Sequence, residues 1–203
     1  MSAAIEVLTI GHSSLSYEDF LSLLRSASVT AVADVRTAPY SRYYPHFNRE
    51  DLQEELKADG IAYVYLGNEL GGRPKDSRFF CDGVADYEKM SRTPEFAQGL
   101  DRVLLGSQRY RIAMMCSEQD PLECHRCLLV GRALHEKGRT VRHILNTGAL
   151  LNHSDVESML MDMSGKNKAD LFERPEARLS AAYREQASKV AFAAPTPKQV
   201  VAR

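Results

Sequence analysis

Through residues 5–145, short β-prone apolar segments alternate with capped amphipathic stretches. That alternation admits few folds, because strands separated by helix-length crossovers build a mainly parallel sheet with right-handed connections. Residues 5–10 read as a strand ended by Gly11. Ser16 with Asp19 then forms a capping box for a helix that buries Phe20, Leu23, Leu24 and Ala27. Residues 29–35 are apolar apart from Asp34, the pattern of a strand buried on both faces. Asn48 with Asp51 caps a second helix, which carries Leu52 and Leu56 inward and stops at Gly60. A third strand covers 61–66, followed by a long polar connection over 67–82 that contains Gly71-Gly72-Arg73-Pro74, a length typical of functional loops. Thr93-Pro94-Glu95 opens a helix with the buried stripe Phe96, Leu100, Val103 and Leu104. A fourth strand spans 112–116. Asp120-Pro121-Leu122-Glu123 opens a helix running to about Lys137, and a fifth strand spans 140–145.

The predicted fold is α/β: a mostly parallel sheet of about five strands flanked by helices, a three-layer arrangement of Rossmann-like or rhodanese-like kind. The pattern weakens after Gly148, with helices expected near 155–163 and 180–192 and a loose tail over 193–197. Residues 1–150 therefore read as the core domain and 151–203 as a helical C-terminal extension.

No apolar run approaches the roughly 20 residues that span a bilayer, and the first residues lack the basic and apolar regions of a signal peptide. The expected location is cytoplasmic, without a membrane partner. Four cysteines in a reducing compartment suggest chemistry, metal or packing before a disulfide framework. A net charge of −1 argues against non-specific coating of DNA. Arg outnumbers Lys more than twofold, and Arg suits bidentate recognition of phosphate or carboxylate.

Open α/β sheets bind ligands at the carboxyl ends of their strands, and the unusual polar residues fall there. His12 and Ser13 follow the first strand, Asp34 and Arg36 close the second, and Asn68, Glu69 and Arg73 follow the third. Cys116, Ser117 and Glu118 follow the fourth, with Cys124, His125 and Arg126 shortly after.

At these residues the chain resembles the bacterial family called domain of unknown function 488. The segments that carry the resemblance are Thr9-Ile10-Gly11-His12-Ser13, Asp34-Val35-Arg36, Phe47-Asn48, Leu70-Gly71-Gly72, Thr93-Pro94-Glu95-Phe96 and Met115-Cys116-Ser117-Glu118 with Cys124-His125-Arg126. They run in order over residues 7–146. The resemblance implies that the family's polar positions map onto His12, Asp34, Arg36, Cys116, Glu118, Cys124, His125 and Arg126, but it brings no settled reaction. Cys127 departs from the small polar residue, often Ser, that family members carry after His-Arg.

Several chemistries compete for these residues. Cys116 at a strand end is a candidate nucleophile, Cys124 near a helix start has the setting that favours thiolate, and either is also suited to plain packing. The phosphatase spacing of Cys, five residues and Arg is absent, and eight residues separate Cys116 from His125, unlike a rhodanese loop. Zinc ligands of the right type occur in Cys116, Cys124, Cys127 and a histidine, but with one Cys-x-x-Cys pair no metal set is assigned. Arg36, Arg42, Arg73 and Arg126, with the N-terminus of the Asp120-capped helix, form a candidate anion pocket. The loop holding Tyr40, Tyr43, Tyr44, His46 and Phe47 suits either stacking on a nucleobase or packing onto the core. His135, His143 and His153 have no motif around them and read as structural.

The expectation is an enzyme acting on a phosphorylated or otherwise anionic ligand, a nucleotide among the options, at the strand carboxyl ends. His12 or His125 serves as acid or base, Cys116 as nucleophile, and Asp34 or Glu118 orients them. Arg36, Arg42, Arg73 and Arg126 bind the ligand together with Ser13, Ser117 and Cys124. No cofactor is assigned. One alternative is a non-catalytic nucleic-acid-associated module linked to DNA repair or modification, and another is a thiol-redox or metal-binding regulator. Lys168-Ala169-Asp170-Leu171-Phe172 is similar to the peptide by which bacterial repair proteins dock into the sliding clamp, with Leu171 and Phe172 as anchors.

Overall fold

The alternation of apolar and capped segments becomes a six-stranded sheet in the computed structural model, which describes residues 6–167 and 173–194. Strand β1 (Glu6–Gly11) leads through α1 (Tyr17–Ser26) to β2 (Ala31–Asp34), then through α2 (Arg49–Ala58) to β3 (Ala62–Tyr65). The long connection contains α3 (Gly67–Leu70), a small hairpin of β4 (Phe80–Cys81) and β5 (Val84–Ala85), and α4 (Tyr87–Met90). Helix α5 (Pro94–Gly106) returns the chain to β6 (Ile112–Cys116), and α6 (Arg132–Glu136) carries it to β7 (Thr140–Ile144). Strand β8 (Leu150–Asn152), α7 (His153–Met163) and α8 (Pro175–Val190) complete the described chain.

The sheet order is β3-β2-β6-β1-β7-β8, parallel except for the last pair. Alternation along each strand feeds two apolar layers. Val7, Ala33, Ile112, Met114 and Val141 pack with Leu100 and Val103 of α5, Leu134 of α6 and Tyr183 of α8. Leu8, Ile10, Val32, Ala113 and Met115 pack with Phe20 and Leu24 of α1 and Leu52 and Leu56 of α2. β6 thus lies between β1 and β2, whose helices cover one face, while its own following helix covers the other. Such a switch of direction opens a crevice at the strand carboxyl ends.

Local capping follows the sequence at several helices. Ser16 Oγ accepts the Asp19 amide at 3.1 Å, and Thr93 Oγ1 accepts the Phe96 amide at 3.2 Å. Three details differ from expectation. The sheet has a sixth strand, because β8 adds antiparallel to β7 after a turn at Gly148, whose φ is 81°. Asn48 makes no side-chain cap on α2. Its Oδ1 instead accepts the Ser41 amide at 2.7 Å and pins the loop after β2. The helix expected from Asp120 is broken: Asp120 caps only a three-residue turn (Pro121–Glu123), Cys124 is extended (φ −134°, ψ 137°), and a π-helical stretch (Arg126–Gly131) precedes α6. No helix N-terminus therefore stands at Asp120 to bind an anion. The clamp-like segment with Leu171 and Phe172, and residues 195–203 of the tail, lie outside the described residues. Among the described residues no helix is long and apolar enough to cross a membrane.

Candidate active site

Pairing between β1 and β6 continues past the strands. The His12 amide bonds Cys116 O at 2.9 Å and the Ser13 amide bonds Ser117 O at 2.8 Å, which locks the two rim loops side by side. Gly11 makes this approach feasible, since a Cβ there would lie 1.9 Å from Glu118 O. Ser13 takes a left-handed conformation, φ 48°, that a non-glycine residue adopts only at a cost.

Asp34 is fully buried at the end of β2 and its carboxylate is saturated. Oδ1 accepts the Arg36 amide (3.0 Å) and Arg36 Nε (2.9 Å), while Oδ2 accepts Arg36 Nη2 (2.6 Å) and the Tyr63 hydroxyl (2.7 Å). A carboxylate so engaged fixes Arg36 in place and has no remaining role as a base. Arg36 Nη1 in turn meets His12 Nε2 at 3.3 Å, and His12 Nδ1 donates to Ser13 O at 3.0 Å. Burial, then the charge of Arg36, lowers the His12 pKa to about 4, so the ring is neutral at pH 7 and stacks on Phe47 with centroids 4.1 Å apart.

The reactive groups converge on the other side of Arg36. Cys116 Sγ lies 2.8 Å and Cys124 Sγ 3.0 Å from the same oxygen, Glu118 Oε2. His125 Nδ1 is 3.6 Å from the first sulfur and 3.9 Å from the second, and His125 Nε2 donates to Val35 O at 2.9 Å. All four candidate ligand atoms lie within 4.8 Å of one another. The extended backbone at Cys124 brings its sulfur beside the ring of its neighbour. Consecutive residues of a continuous helix would diverge by about 100°. Burial raises the Cys116 thiol well above its ordinary range. Burial opposes ionisation of Cys124 too, but the Cys116 thiol, Arg126 and His125 outweigh it and hold Cys124 well below that range. Against burial, its hydrogen bond to Cys124 raises the His125 pKa.

Arg126 was expected to bind the ligand and does not reach the cleft. Its side chain is 0% exposed, with Nη1 bonded to Glu118 O and Nη2 to Gln119 O at 2.8 Å. It staples the loop after β6, where its charge faces the thiols. Arg42 is exposed on the loop after β2 and lines neither lobe of the cleft.

The cleft has two lobes sharing Arg36, Ala38, Ser117 and Glu118. The inner lobe, about 110 Å³, has Cys116, Glu118 and His125 on its floor and Gly72, Arg73, Tyr87 and Phe192 on its walls. The outer lobe, about 470 Å³, is lined by His12, Ser13, Tyr40 and Tyr44. A Cβ at Gly72 would sit 2.6 Å from His125 Cγ, so this glycine lets the loop close onto the ring. Arg73 is exposed and lies over the Phe192 ring, 5.3 Å from its centroid. Tyr63 pairs with Val32 on the neighbouring strand, two residues before Asp34 and so on the same face of the sheet, and could have been suspected from that register, whereas nothing in the sequence marks Phe192.

A second polar cluster lies deeper. In the one proton assignment that gives every donor an acceptor, Thr9 donates to His143 Nδ1 (2.7 Å), His143 Nε2 to His153 Nδ1 (3.0 Å), His153 Nε2 to Tyr183 (2.9 Å) and Tyr183 to Glu157 (2.9 Å). Cys127 Sγ sits 3.9 Å from both imidazoles, so Cys124 and Cys127 serve different clusters despite their Cys-x-x-Cys spacing. Every ring nitrogen of this chain is already used, which makes it a structural hydrogen-bond network.

Searches of curated proteins and of solved structures found no match. The family model described as "Domain of unknown function DUF488" matches residues 16–133, which include Asp34, Arg36, Cys116, Glu118, Cys124, His125 and Arg126. That match spans more than half of the chain and holds the whole reactive floor of the cleft, and the chain therefore belongs to the DUF488 family.

Proposed function

We propose that the protein is an enzyme acting on an anionic ligand of nucleotide-like dimensions bound across the two lobes of this cleft. The observation that carries the reading is the placement of Arg36 as a shared wall, with a thiol–imidazole–carboxylate floor on one side and an aromatic-lined depression on the other. Small-molecule sites usually enclose about 300–1,000 Å³. The inner lobe at about 110 Å³ therefore takes only the reacting group, and the rest of the ligand needs the outer lobe. Tyr40 and Tyr44 offer stacking surfaces there, while Arg36 and Arg73 face the anionic part. Cys116 and His125, which line the inner lobe, supply nucleophile or acid–base character, and Asp34, saturated by Arg36 and Tyr63, positions rather than reacts.

Thermal-shift measurement against a panel of nucleotides and sugar phosphates tests this. A ligand at a hundred times its Kd stabilises the native state by about 2.7 kcal/mol. Arg73→Ala, at an exposed position, and Arg36→Lys should each diminish the shift. A panel with no stabilising member, or a shift that both variants leave intact, overturns the reading.

A further inference from the structure

From the geometry of the cleft floor we infer that Cys116, Cys124, His125 and Glu118 form a binding site for one divalent transition-metal ion, zinc by preference. The role of that ion in catalysis rests on the function proposed above, whereas its capture by these four residues does not.

Donor type selects the metal. Two sulfurs, an imidazole and one carboxylate suit zinc and exclude the all-oxygen shells of magnesium and calcium. The spacing is close to what zinc requires. With Zn–S of about 2.3 Å and Zn–N of about 2.1 Å, a tetrahedron has S···N edges of about 3.6 Å. The two observed separations are 3.6 and 3.9 Å. The S···O edges should also be about 3.6 Å, and at 2.8 and 3.0 Å the carboxylate stands too close. Glu118 lines the open cleft and is only partly buried, so a small side-chain rotation gives the room. That mobility also lets it leave the ion, making Cys116, Cys124 and His125 the fixed ligands and opening the fourth position toward the inner lobe. Three protein ligands with one exchangeable position are the hallmark of a catalytic zinc site, as against a closed structural one.

Two independent features point the same way. His125 is oriented from behind: Nε2–H donates to Val35 O, which leaves the Nδ1 lone pair aimed at the sulfurs. Charge also balances. Two thiolates and a carboxylate carry three negative charges, a divalent ion leaves one, and buried Arg126 supplies the remaining positive charge. Arg126 has no carboxylate partner among the described residues, and its Nε has no hydrogen-bond acceptor there. The break in the helix after Asp120 acquires a reason as well, since only the extended Cys124 lets adjacent residues ligate one ion. Neutralising the floor would also admit an anion beside Glu118 and Glu123, which otherwise repel it.

The test is metal content of the reduced full-length protein by mass spectrometry, followed by Co²⁺ titration of the chelator-treated protein with no organic ligand present. About one equivalent of zinc is expected, together with a thiolate-to-cobalt charge-transfer band and the strong visible bands of tetrahedral Co²⁺. Cys116→Ser and Cys124→Ser should each weaken binding by at least about 100-fold, Glu118→Gln should weaken it less, and Cys127→Ser should leave it unchanged. Circular dichroism checks the fold of each variant, and the wild-type cobalt spectrum decides even if a variant fails to fold. Absence of metal and of the charge-transfer band overturns the inference. So does equal loss in Cys127→Ser. A positive cobalt spectrum alongside an empty thermal-shift panel would remove the anion reading and leave the metal site standing.

Discussion

Acidification should destabilise this protein through the histidine chain Thr9–His143–His153–Tyr183. In the native state His153 has its pKa lowered to about 3 by burial and by nearby His135, and burial with His153 and Arg126 holds His143 well below its ordinary value. In the unfolded chain both titrate near about 6.5. Between the two values the unfolded state binds more protons, so stability is complete above the unfolded pKa and falls as pH drops toward the folded one. At pH 5 each ring costs about 2 kcal/mol relative to pH 7.5, and the pair about 4 kcal/mol. That is a large fraction of the roughly 5–15 kcal/mol that holds a domain folded. His12, lowered to about 4, adds to the loss, while His125, shifted upward, offsets part of it. The clean measurement is therefore a difference. Urea unfolding of wild type and of His153→Gln at pH 7.5 and 5 should show the variant less stable at the higher pH but about 2 kcal/mol less sensitive to acid. Equal pH sensitivity in the two proteins would refute the reasoning, because it would mean that His153 accepts a proton in place without cost.

Other substitutions probe the frame of the cleft. Asp34→Ala leaves buried Arg36 and Tyr63 without their acceptor and should cost about 3–5 kcal/mol by denaturant unfolding. Gly72→Ala pushes a methyl into the buried His125 ring, so it should weaken the cobalt spectrum and cost about 1–3 kcal/mol of stability by denaturant unfolding. Thr93→Ala removes the cap of α5 far from the cleft, with an expected loss of about 1 kcal/mol and no change in metal binding.

Where local rules govern, the sequence was a sound guide. Ser16 and Thr93 cap their helices as their side chains and spacing require, and Asp34 interrupts an apolar run at the end of a central strand. β8 escaped because three residues, Leu150–Asn152, are too few to show a period. Asp120-Pro121 carries a genuine cap signal, with Asp120 Oδ1 accepting the Leu122 amide at 2.8 Å, but a cap says nothing of how far the helix then runs. The meeting of Cys116, Glu118 and His125 was legible from the rule that ligands gather at strand carboxyl ends. The retreat of Arg126 was not, since its partners are backbone carbonyls, which every residue has and no sequence distinguishes.

The wall that closes the inner lobe has a consequence for the order of assembly. Phe192 is held there by backbone bonds to the β4–β5 hairpin, Ala85 N to Phe192 O at 2.9 Å and Ala194 N to Gly83 O at 2.8 Å, and Gln186 of α8 ties to Leu122 O at 2.9 Å. These contacts join segments far apart in sequence, and such contacts form late because long loops must close first. A chain leaving the ribosome in N-to-C order can pair β1, β2 and β6 before α8 exists. Until α8 docks, the inner lobe lacks its Phe192 wall, so solutes reach Cys116 and His125 through a wider opening than the finished fold leaves.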